Sequence, residues 1–173
     1  LYDKNNRRYQ YPFIGCSDCG PRHAITINYP YDRNNTSYGK FPLCQQCQNE
    51  FSNPNNRRFH AQNICCADCG PRYSMQWNER DYTDFQHILD KTTRLLNNGS
   101  IIAIKGNSGY RLFCDANNSE AIEKLRLRKN RLHKPFALMF PDNNLALLKA
   151  YVQITPKQEA FLQSIKRPII FII

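Results

Sequence analysis

The sequence predicts an α/β fold in its second half, preceded by a loop-rich tandem zinc-finger lobe. Three observations lead to this prediction: paired Cys-x-x-Cys motifs in the first half, apolar residues at helical spacing from Asp81 onward, and short apolar runs between those helical stretches. Strands that alternate with helices are typical of an α/β layer. We therefore divide the chain into a finger region at 1–80 and an α/β region at 81–173.

The most specific motif lies between Cys44 and Cys69. The pair Cys44 and Cys47 is followed, after eighteen residues, by the pair Cys66 and Cys69. Two such knuckles supply four thiolates to a structural zinc site, since soft sulfur ligands in a tetrahedral array favour Zn²⁺. A disulfide interpretation requires an oxidising compartment, and no signal peptide is visible, although the chain does not begin with Met. We expect a cytoplasmic protein in which zinc maintains structure.

An internal repeat with an offset of fifty residues fixes the pairing of the knuckles. Asn-Asn-Arg-Arg followed by Cys-x-Asp-Cys-Gly-Pro-Arg occurs at 5–22 and again at 55–72. The second unit has a Cys-x-x-Cys upstream, whereas the first would need one before residue 1. We therefore predict one complete site and a half-site at Cys16 and Cys19. Joining Cys16 and Cys19 to the knuckle at 44–47 would leave the knuckle at 66–69 without partners.

Other residues of the finger region have less certain roles. Cys65 is interpreted as a spare buried thiol, because its repeat equivalent is a glycine, and His23 as a surface or packing residue. Gly20 and Gly70 follow their knuckles, where a positive φ would turn backbone N–H groups toward sulfur. A further set of basic residues can pair with local acids, cover the lobe or contact a ligand, and the sequence leaves these options open: Arg7, Arg8, Arg57, Arg58 and His60.

The α/β region begins with a helix capped by Thr83 or Asp84 and stopped at Asn97-Asn-Gly99. A buried strand at 101–104 and a glycine-containing loop at 105–110 follow. A second helix is capped by Asn118 or Ser119. Further along we predict a strand at 136–140, a helix through Leu145, Leu148 and Tyr151, a helix that opens at Thr155 with Gln158 completing a capping box, and a last strand at 168–173.

Charge and hydropathy limit the class of partner. The net charge is +10, from 24 basic and 14 acidic residues, and the stretch 124–134 holds six cations without an acid among them. Its cations are Lys124, Arg126, Arg128, Lys129, Arg131 and Lys134. Such a stretch fits a nucleotide or RNA, and equally a solvated helix face. No apolar run approaches the ~20 residues that cross a bilayer, so we expect no membrane partner.

Two groups of residues are candidates for binding phosphate. Lys129, Arg131 and Lys134 lie within six residues at a predicted helix-to-strand junction and can converge on one phosphate group. The loop at 105–110 follows a strand, where α/β sheets hold ligands, and it lacks the ending of a Walker loop. Cys114 is interpreted as a core thiol, because no His is close in sequence. The sequence identifies no catalytic residue.

Two resemblances add to this reading. The segment 103–116, with 128–131 and 133–137, resembles the start of a YrdC-like (Sua5/YciO/YrdC) domain, which implies a twisted open sheet with helices. The Cys-Gly-Pro-Arg repeats, 31–37 and 57–62 resemble the zinc-finger region of HypF, the carbamoyltransferase family of [NiFe]-hydrogenase maturation. The HypF family joins these two modules in this order.

The resemblance implies an enzyme that uses carbamoyl phosphate and ATP with Mg²⁺ to form a carbamoyl adenylate. A Kae1-like domain would then pass the carbamoyl group to the C-terminal Cys of HypE. By this likeness Lys129, Arg131 and Lys134 would hold the nucleotide phosphates, and the opposite wall would comprise Lys105, Gly106 and Gly109. These 173 residues alone are expected to be inactive, because the matching YrdC-like segment covers only about half of its module.

Within the loop the chain departs from the family pattern at Ser108, in place of a glycine, and at Arg111, in place of a histidine. Either change can narrow or recharge the pocket. Two alternative functions remain open at this stage. One is a zinc-containing module that binds double-stranded RNA, and the other is a Sua5-type threonylcarbamoyl-adenylate synthase.

Overall fold

Short helices and two β-hairpins make up the regular structure in the computed structural model, which describes residues 2–17, 20–140, 145–164, 166 and 168–171. The chain divides into two compact units, Leu1–Asp115 and Ala116–Ile173. The combination of a cysteine-rich, loop-rich lobe with a following region of helices and strands confirms the predicted fold class. Over the described ranges, none of the helices has the length and apolar character needed to cross a membrane.

The N-terminal lobe is organised by side-chain clusters rather than by long regular elements. Among the described residues of the finger region, 2–17 and 20–80, the helical elements are two 3₁₀ turns, His23–Ile25 and Arg33–Asn35, and helix α1, Gln45–Ser52. One apolar cluster contains Tyr11, Ile25, Tyr38 and Cys65, and a second contains Cys47, Ile64 and Cys66. The sequence analysis missed α1, whose mean hydropathy is low and which begins immediately after Cys44.

The two repeats share local backbone geometry. Oδ1 of Asn6 accepts a bond from the Arg8 amide, and Oδ1 of Asn56 accepts one from the Arg58 amide, both at 2.9 Å. Each knuckle is closed in the same way, because the glycine after it donates to the carbonyl of the first cysteine: 3.0 Å in the first repeat and 2.8 Å in the second. The repeat in sequence is thus a repeat in structure.

The predicted positive φ at Gly20 and Gly70 is wrong. Among the described glycines, positive φ occurs at Gly99 and Gly109. Space explains Gly70 instead: a Cβ there would lie 2.2 Å from the Tyr11 hydroxyl oxygen and 2.7 Å from the Cβ of Cys65. The glycine is needed because neighbouring chain segments approach its backbone closely.

A short hairpin follows the second knuckle. Strands β1, Met75–Trp77, and β2, Arg80–Tyr82, pair antiparallel with Met75 opposite Tyr82. The two-residue turn places Asn78 and Glu79 at positive φ, as a type I′ hairpin turn requires. The sequence analysis did not anticipate this hairpin, because three-residue strands are too short to display an alternating pattern.

Helix α2 spans Phe85–Asn97 and is capped as predicted. The Asp84 side chain accepts a 2.7 Å hydrogen bond from the His87 amide, and Gly99, at φ 74°, donates to the carbonyl of Leu96. A left-handed glycine beyond the last turn is a common helix stop. Both ends of α2 were therefore readable from local sequence.

The predicted strand and loop at 101–110 form one arm and the turn of an antiparallel hairpin. Strand β3, Ile102–Gly106, pairs with β4, Gly109–Phe113, and the register places Gly106 opposite Gly109. Gly109 has a φ of 114°, which allows the chain to reverse after two residues. The prediction of a loop as far as Tyr110 is corrected accordingly.

The described part of the second unit contains three helices, α3 at Ser119–Arg128, α4 at Ala146–Tyr151 and α5 at Pro156–Gln163. Their predicted starts are confirmed where a cap was readable. Asn118 accepts from the Ala121 amide at 2.9 Å, and Thr155 with Gln158 forms the capping box. These local signals were sufficient because each cap involves residues only three apart.

Two predicted strands are not present in the described residues. Residues 136–140 have no strand partner there, and Leu138 and Met139 are 64% and 77% exposed. Residues 168–171 likewise form no regular element, and 172–173 lie outside the described residues. A strand requires a neighbouring strand for its backbone hydrogen bonds, so an apolar run alone does not produce one.

Candidate metal centre and phosphate-binding loops

Four thiols converge at the predicted complete site. The sulfurs of Cys44, Cys47, Cys66 and Cys69 all lie within 4.8 Å of one another. The distance is 3.7 Å between the sulfurs of Cys44 and Cys66 and 3.8 Å between those of Cys66 and Cys69. A tetrahedral ion with Zn–S bonds of about 2.3 Å holds its sulfurs about 3.8 Å apart. The donor set and its dimensions therefore fit Zn²⁺.

Helix α1 and the second knuckle position these sulfurs. Cys44 is the N-cap residue of α1 and Cys47 lies in its first turn, so the helix fixes one pair. The turn from Cys66 to Cys69 is closed by the Gly70 amide and fixes the other. Cys47 and Cys66 are 0% and 1% exposed. One thiol of each pair is thus buried, whereas Cys44 and Cys69 are partly exposed. Four protein sulfurs with no open position are typical of a structural site.

The pKa values of two thiols in the cluster are shifted in opposite directions. Burial raises the pKa of Cys47 to about 12. Burial also acts to raise the pKa of Cys44, but hydrogen bonds from the Cys47 backbone and from the neighbouring thiols outweigh it and lower the pKa to about 7. A bound metal deprotonates its thiol ligands. The cluster would therefore release protons when it takes up an ion.

Two arginines of the first repeat contact the thiol of Cys47, in the knuckle upstream of the second repeat. Nη2 of Arg7 and Nη2 of Arg8 lie 3.1 and 3.3 Å from the sulfur of Cys47. Both guanidinium groups also contact Glu50, at 3.0 Å from Arg7 and 2.6 Å from Arg8. The sequence left several roles open for these arginines. The structure shows that both pair with an acid, Glu50, and pack against the lobe.

Arg33 supports the loops around the cluster and was not identified from the sequence. Its guanidinium donates to the carbonyls of Gln62 and Ile64, each at 2.8 Å, and to that of Phe41 at 2.7 Å. The loop that precedes α1 is thereby joined to the chain that leads into the second knuckle. Sequence offers little signal for such a role, since the acceptors are backbone atoms up to 31 residues away.

Cys65 is adjacent to the ligand Cys66, but its side chain packs in the apolar cluster of Tyr11, Ile25 and Tyr38. The Tyr11 hydroxyl donates to its sulfur at 3.6 Å, and the thiol donates to the Phe13 carbonyl at 3.4 Å. Cys65 is 2% exposed and packs in the cluster of Tyr11, Ile25 and Tyr38. This agrees with the interpretation of Cys65 as a spare buried thiol.

The predicted half-site is described only in part. Cys16 borders a cavity of about 230 Å³ whose lining also includes His60 and Gln62, whereas Cys19 lies outside the described residues. Oε1 of Gln62 is buried and has no hydrogen-bond partner among the described atoms. His23, interpreted above as a surface or packing residue, is exposed in a 3₁₀ turn.

The first group of residues predicted to bind phosphate lies in the β3–β4 hairpin. Lys105 is exposed, with Nζ 5.7 Å from the centre of the Tyr110 ring, and a Cβ at Gly106 or Gly109 would meet no atom within 4 Å. This open backbone allows close approach of a ligand. The two residues that depart from the family pattern contact each other, because Nη2 of Arg111 donates to Oγ of Ser108 at 2.9 Å.

The second candidate group follows α3 in the other compact unit. Nη1 of Arg126 donates to the carbonyls of Arg131 and Lys134, both at 3.1 Å, and thereby folds the loop. Arg131 donates to the Pro135 carbonyl at 3.2 Å, and Lys129 is the exposed C-cap residue of α3. The three cations thus lie in a loop that Arg126 organises, and their convergence on one phosphate group stays a prediction.

Cys114 follows β4 and is half-buried. Burial and, to a smaller extent, the charge of Asp115 raise the pKa of its thiol. A raised pKa disfavours the thiolate, which is the nucleophilic form. The thiol is only half-buried, and so less enclosed than the core thiol that the sequence predicted.

Comparison with known proteins identifies the two modules. A family model described as the HypF finger matches residues 1–26 and 43–76, and the Sua5_yciO_yrdC model, described as telomere recombination, matches residues 94–173. The chain is 44% identical to carbamoyltransferase HypF2 of Cupriavidus necator over 172 residues, which are 99% of this chain and 21% of that protein. It is 39% identical to the probable carbamoyltransferase HypF of Methanocaldococcus jannaschii over 170 residues, 98% of this chain and 22% of that protein.

Solved structures agree with these matches. The crystal structure of HypF from T. kodakarensis superposes with a TM-score of 0.86 at 42% identity, over 97% of this chain and 22% of that one. Full-length HypF in its phosphate- and nucleotide-bound form gives a TM-score of 0.80 at 41% identity, over 95% and 21%. The chain thus spans about a fifth of the length of the relatives that it matches.

The fold and the cysteine cluster place this chain in the class of proteins that join a HypF-type finger region to a Sua5/YciO/YrdC-type segment. Members of that class that match nearly the whole chain are named carbamoyltransferases. Over nearly its whole length the chain is similar to HypF carbamoyltransferases.

Proposed function

We propose that this chain is part of a carbamoyltransferase that uses carbamoyl phosphate and MgATP to form a carbamoyl adenylate. The carbamoyl group would pass to the C-terminal Cys of HypE for the cyanide ligands of a [NiFe] hydrogenase. The observation that carries this proposal is the continuous match, at 39–44% identity, to named carbamoyltransferases across both modules. A Sua5/YrdC-type segment alone would not separate this activity from other adenylate-forming reactions.

The finger region would provide structure, with Zn²⁺ bound by Cys44, Cys47, Cys66 and Cys69. The cluster's dimensions and its buried position support a closed, four-sulfur site. We also propose that Cys16 and Cys19 belong to a second site of the same kind, in line with the repeat. Because these thiolates must stay reduced, the proposal includes a cytoplasmic location.

Phosphate binding is assigned to the two loops described above. Lys129, Arg131 and Lys134 would offset the charge of the nucleotide phosphates, an electrostatic contribution that requires no covalent step. The open hairpin at Lys105, Gly106 and Gly109 would admit the ligand close to backbone. The paired Ser108 and Arg111 add a side chain and a positive charge to that hairpin, so the pocket is proposed to differ there from one with glycine and histidine.

We further propose that the functional division lies between 1–80 and 81–173. The matched finger region ends at residue 76 and the matched Sua5/YrdC-type segment begins at 94, which supports this division. The compact units meet at Asp115 instead, because the β3–β4 hairpin is grouped with the finger region.

The decisive experiment measures ATP–pyrophosphate exchange in the full-length protein from which this sequence comes. Exchange that requires carbamoyl phosphate, and that falls at least tenfold in a Lys129→Ala, Arg131→Ala double variant, would support the proposal. A Lys166→Ala variant is the matched control, since Lys166 is exposed and is not among the proposed residues. Exchange that depends on threonine rather than on carbamoyl phosphate would favour a threonylcarbamoyl-adenylate synthase.

Binding of double-stranded RNA is the other outcome that this protein can be tested for. The six cations of 124–134 would produce affinity that falls steeply with added salt. Strong RNA binding at low salt together with no carbamoyl phosphate-dependent exchange would replace the enzymatic proposal by a binding function.

A further inference from the structure

A salt-bridged trio connects the first repeat to the thiol cluster of the second. The trio consists of Arg7 and Arg8, which precede the first knuckle, and Glu50, on α1. Arg8 is 2% exposed. Its guanidinium makes a further hydrogen bond, from Nε to the Cys65 carbonyl, at 2.7 Å. Arg8 is therefore held at three points around the cluster, by a sulfur, a carboxylate and a backbone carbonyl.

We propose that Arg7 and Arg8 are positioning residues for the metal centre: they set its affinity through N–H···S hydrogen bonds to Cys47, and metal binding in turn fastens the first repeat to the second. The proposal rests on the assignment of Cys44, Cys47, Cys66 and Cys69 as ligands. It extends that assignment to residues about forty positions away in sequence.

Charge explains why the arginines would matter. Zn²⁺ with four thiolates has a net charge of about −2, which must be compensated where the site is closed to water. Two guanidinium groups supply +2 next to one of the sulfurs, and the carboxylate of Glu50 reduces the net charge of the trio to +1. Glu50 orients both arginines by accepting from Nε of Arg7 at 3.2 Å and from Nη2 of Arg8 at 2.6 Å. Hydrogen bonds to ligand atoms raise metal affinity by orienting the ligand and stabilising its charge.

The direction of the contacts explains the coupling between repeats. The four proposed ligands all belong to the second repeat or its upstream knuckle, whereas both arginines belong to the first. When Cys47 is a metal-bound thiolate, it is a stronger acceptor for these donors than a neutral thiol. Loading the metal should therefore tighten the N-terminal segment around Arg7 and Arg8 as well as the knuckles.

The repeat provides a matched control. Arg57 and Arg58 are the counterparts of Arg7 and Arg8, fifty residues later, and Arg57 is exposed. Arg72 supplies a second control, because it follows the knuckle directly but donates to the Ala67 carbonyl, at 3.0 Å, and not to a sulfur. A general effect of arginine replacement in the lobe would appear in these variants too.

The test measures zinc affinity by chelator competition in the full chain with Arg7→Lys, Arg8→Lys, Arg57→Lys and Arg72→Lys. Lysine keeps the charge but loses the planar fork. We expect the first two variants to bind zinc about 10- to 100-fold more weakly, as losses around metal ligands commonly do. The two control variants should remain within about threefold of the parent chain on that scale.

Cobalt(II) substitution provides a readout that a purely structural role would not move. Loss of an N–H···S bond destabilises the sulfur lone pairs, so the sulfur-to-cobalt charge-transfer band of the Arg7→Lys and Arg8→Lys proteins should shift to lower energy. Arg8 is buried, so its variant can misfold. The Arg7 side chain is 26% exposed, so Arg7→Lys tests the proposal without that risk.

Hydrogen exchange of residues 3–11 supplies the test of coupling. Metal loading should slow exchange there in the parent chain and less so in Arg7→Lys.

Unchanged zinc affinity and an unmoved cobalt band in both variants would overturn the proposal. A parent chain that binds no zinc at the four cysteines would instead overturn the ligand assignment on which it rests, and neither result depends on carbamoyl transfer.

Discussion

The hydroxyl of Tyr38 donates a hydrogen bond to Oδ1 of Asn107 at 3.1 Å and so ties the core of the cysteine-rich lobe to the turn of the β3–β4 hairpin. Tyr38 is 3% exposed and packs beside Cys65. Burial, together with the nearby Cys65 thiol, raises the pKa of Tyr38 to about 12, so the phenol remains a donor at neutral pH. The hairpin that carries Lys105 is thus braced from the lobe.

Replacing Tyr38 with Phe should loosen this hairpin while it keeps the ring in place. We expect amides 105–110 to exchange faster and the free energy of unfolding to fall by about 1 kcal/mol, the usual contribution of one hydrogen bond. Hydrogen exchange with mass spectrometry and chemical denaturation measure the two effects. Tyr2→Phe is the control, since Tyr2 is 76% exposed. Equal exchange at 105–110 in both variants would show that the Tyr38 hydroxyl does not brace the turn.

Local signals in the sequence predicted much of the fold, and long-range ones did not. Asp84, Asn118 and Thr155 cap their helices as expected, because a cap involves neighbouring residues. The hairpins were missed or misjudged, since strand pairing depends on partners that a single apolar run does not specify.

The candidate site divides in the same way. The cysteine quartet was readable because thiol ligands are few and their spacing is restricted by the metal. The contacts of Arg8 with Cys47 and of Arg33 with the carbonyls of Gln62 and Ile64 join residues 29 to 39 positions apart, and arginine spacing does not encode them. Only the internal repeat suggested that the arginine pairs belong with the knuckles.

Removing one ligand should remove one zinc ion. We expect Cys66→Ser to lower the bound zinc by one ion per chain and to destabilise the lobe strongly, because binding free energy at a structural site is folding free energy. The neighbouring Cys65→Ser should keep the full zinc content, since its sulfur lies in the Tyr11 cluster. Metal analysis of the purified full chain distinguishes the two. Loss of zinc in Cys65→Ser equal to that in Cys66→Ser would contradict the assigned ligand set.

Arg33→Lys should destabilise the lobe despite retaining the charge. An ammonium group cannot reach three carbonyls that are arranged around a planar guanidinium, so buried acceptors lose their partners, at an expected cost of about 2–3 kcal/mol. Chemical denaturation of the zinc-loaded chain measures this. Arg22→Lys serves for comparison, because Arg22 donates to the Ser17 carbonyl on the surface. A cost below about 0.5 kcal/mol, the level of ordinary surface changes, would mean that Arg33 does not hold the loops together.

The stability of the lobe should depend on the ionisation of Glu50. Burial acts to raise the pKa of this carboxyl, but hydrogen bonds from Arg8 and Arg7 outweigh it, and the pKa lies below the ordinary 4.5. A carboxyl with a lowered pKa in the folded state stabilises that state above the ordinary value, and the contribution is lost as the pH falls through the lowered pKa. We therefore expect Glu50→Gln to be less stable than the parent at pH 7, and the difference to close below about pH 4.5. Denaturation across pH 7 to 3 measures the difference, with Glu123→Gln, on the exposed face of α3, as the reference. A gap between parent and Glu50→Gln that stays constant to pH 3 would show that the Arg7–Arg8–Glu50 trio does not draw its stability from charge.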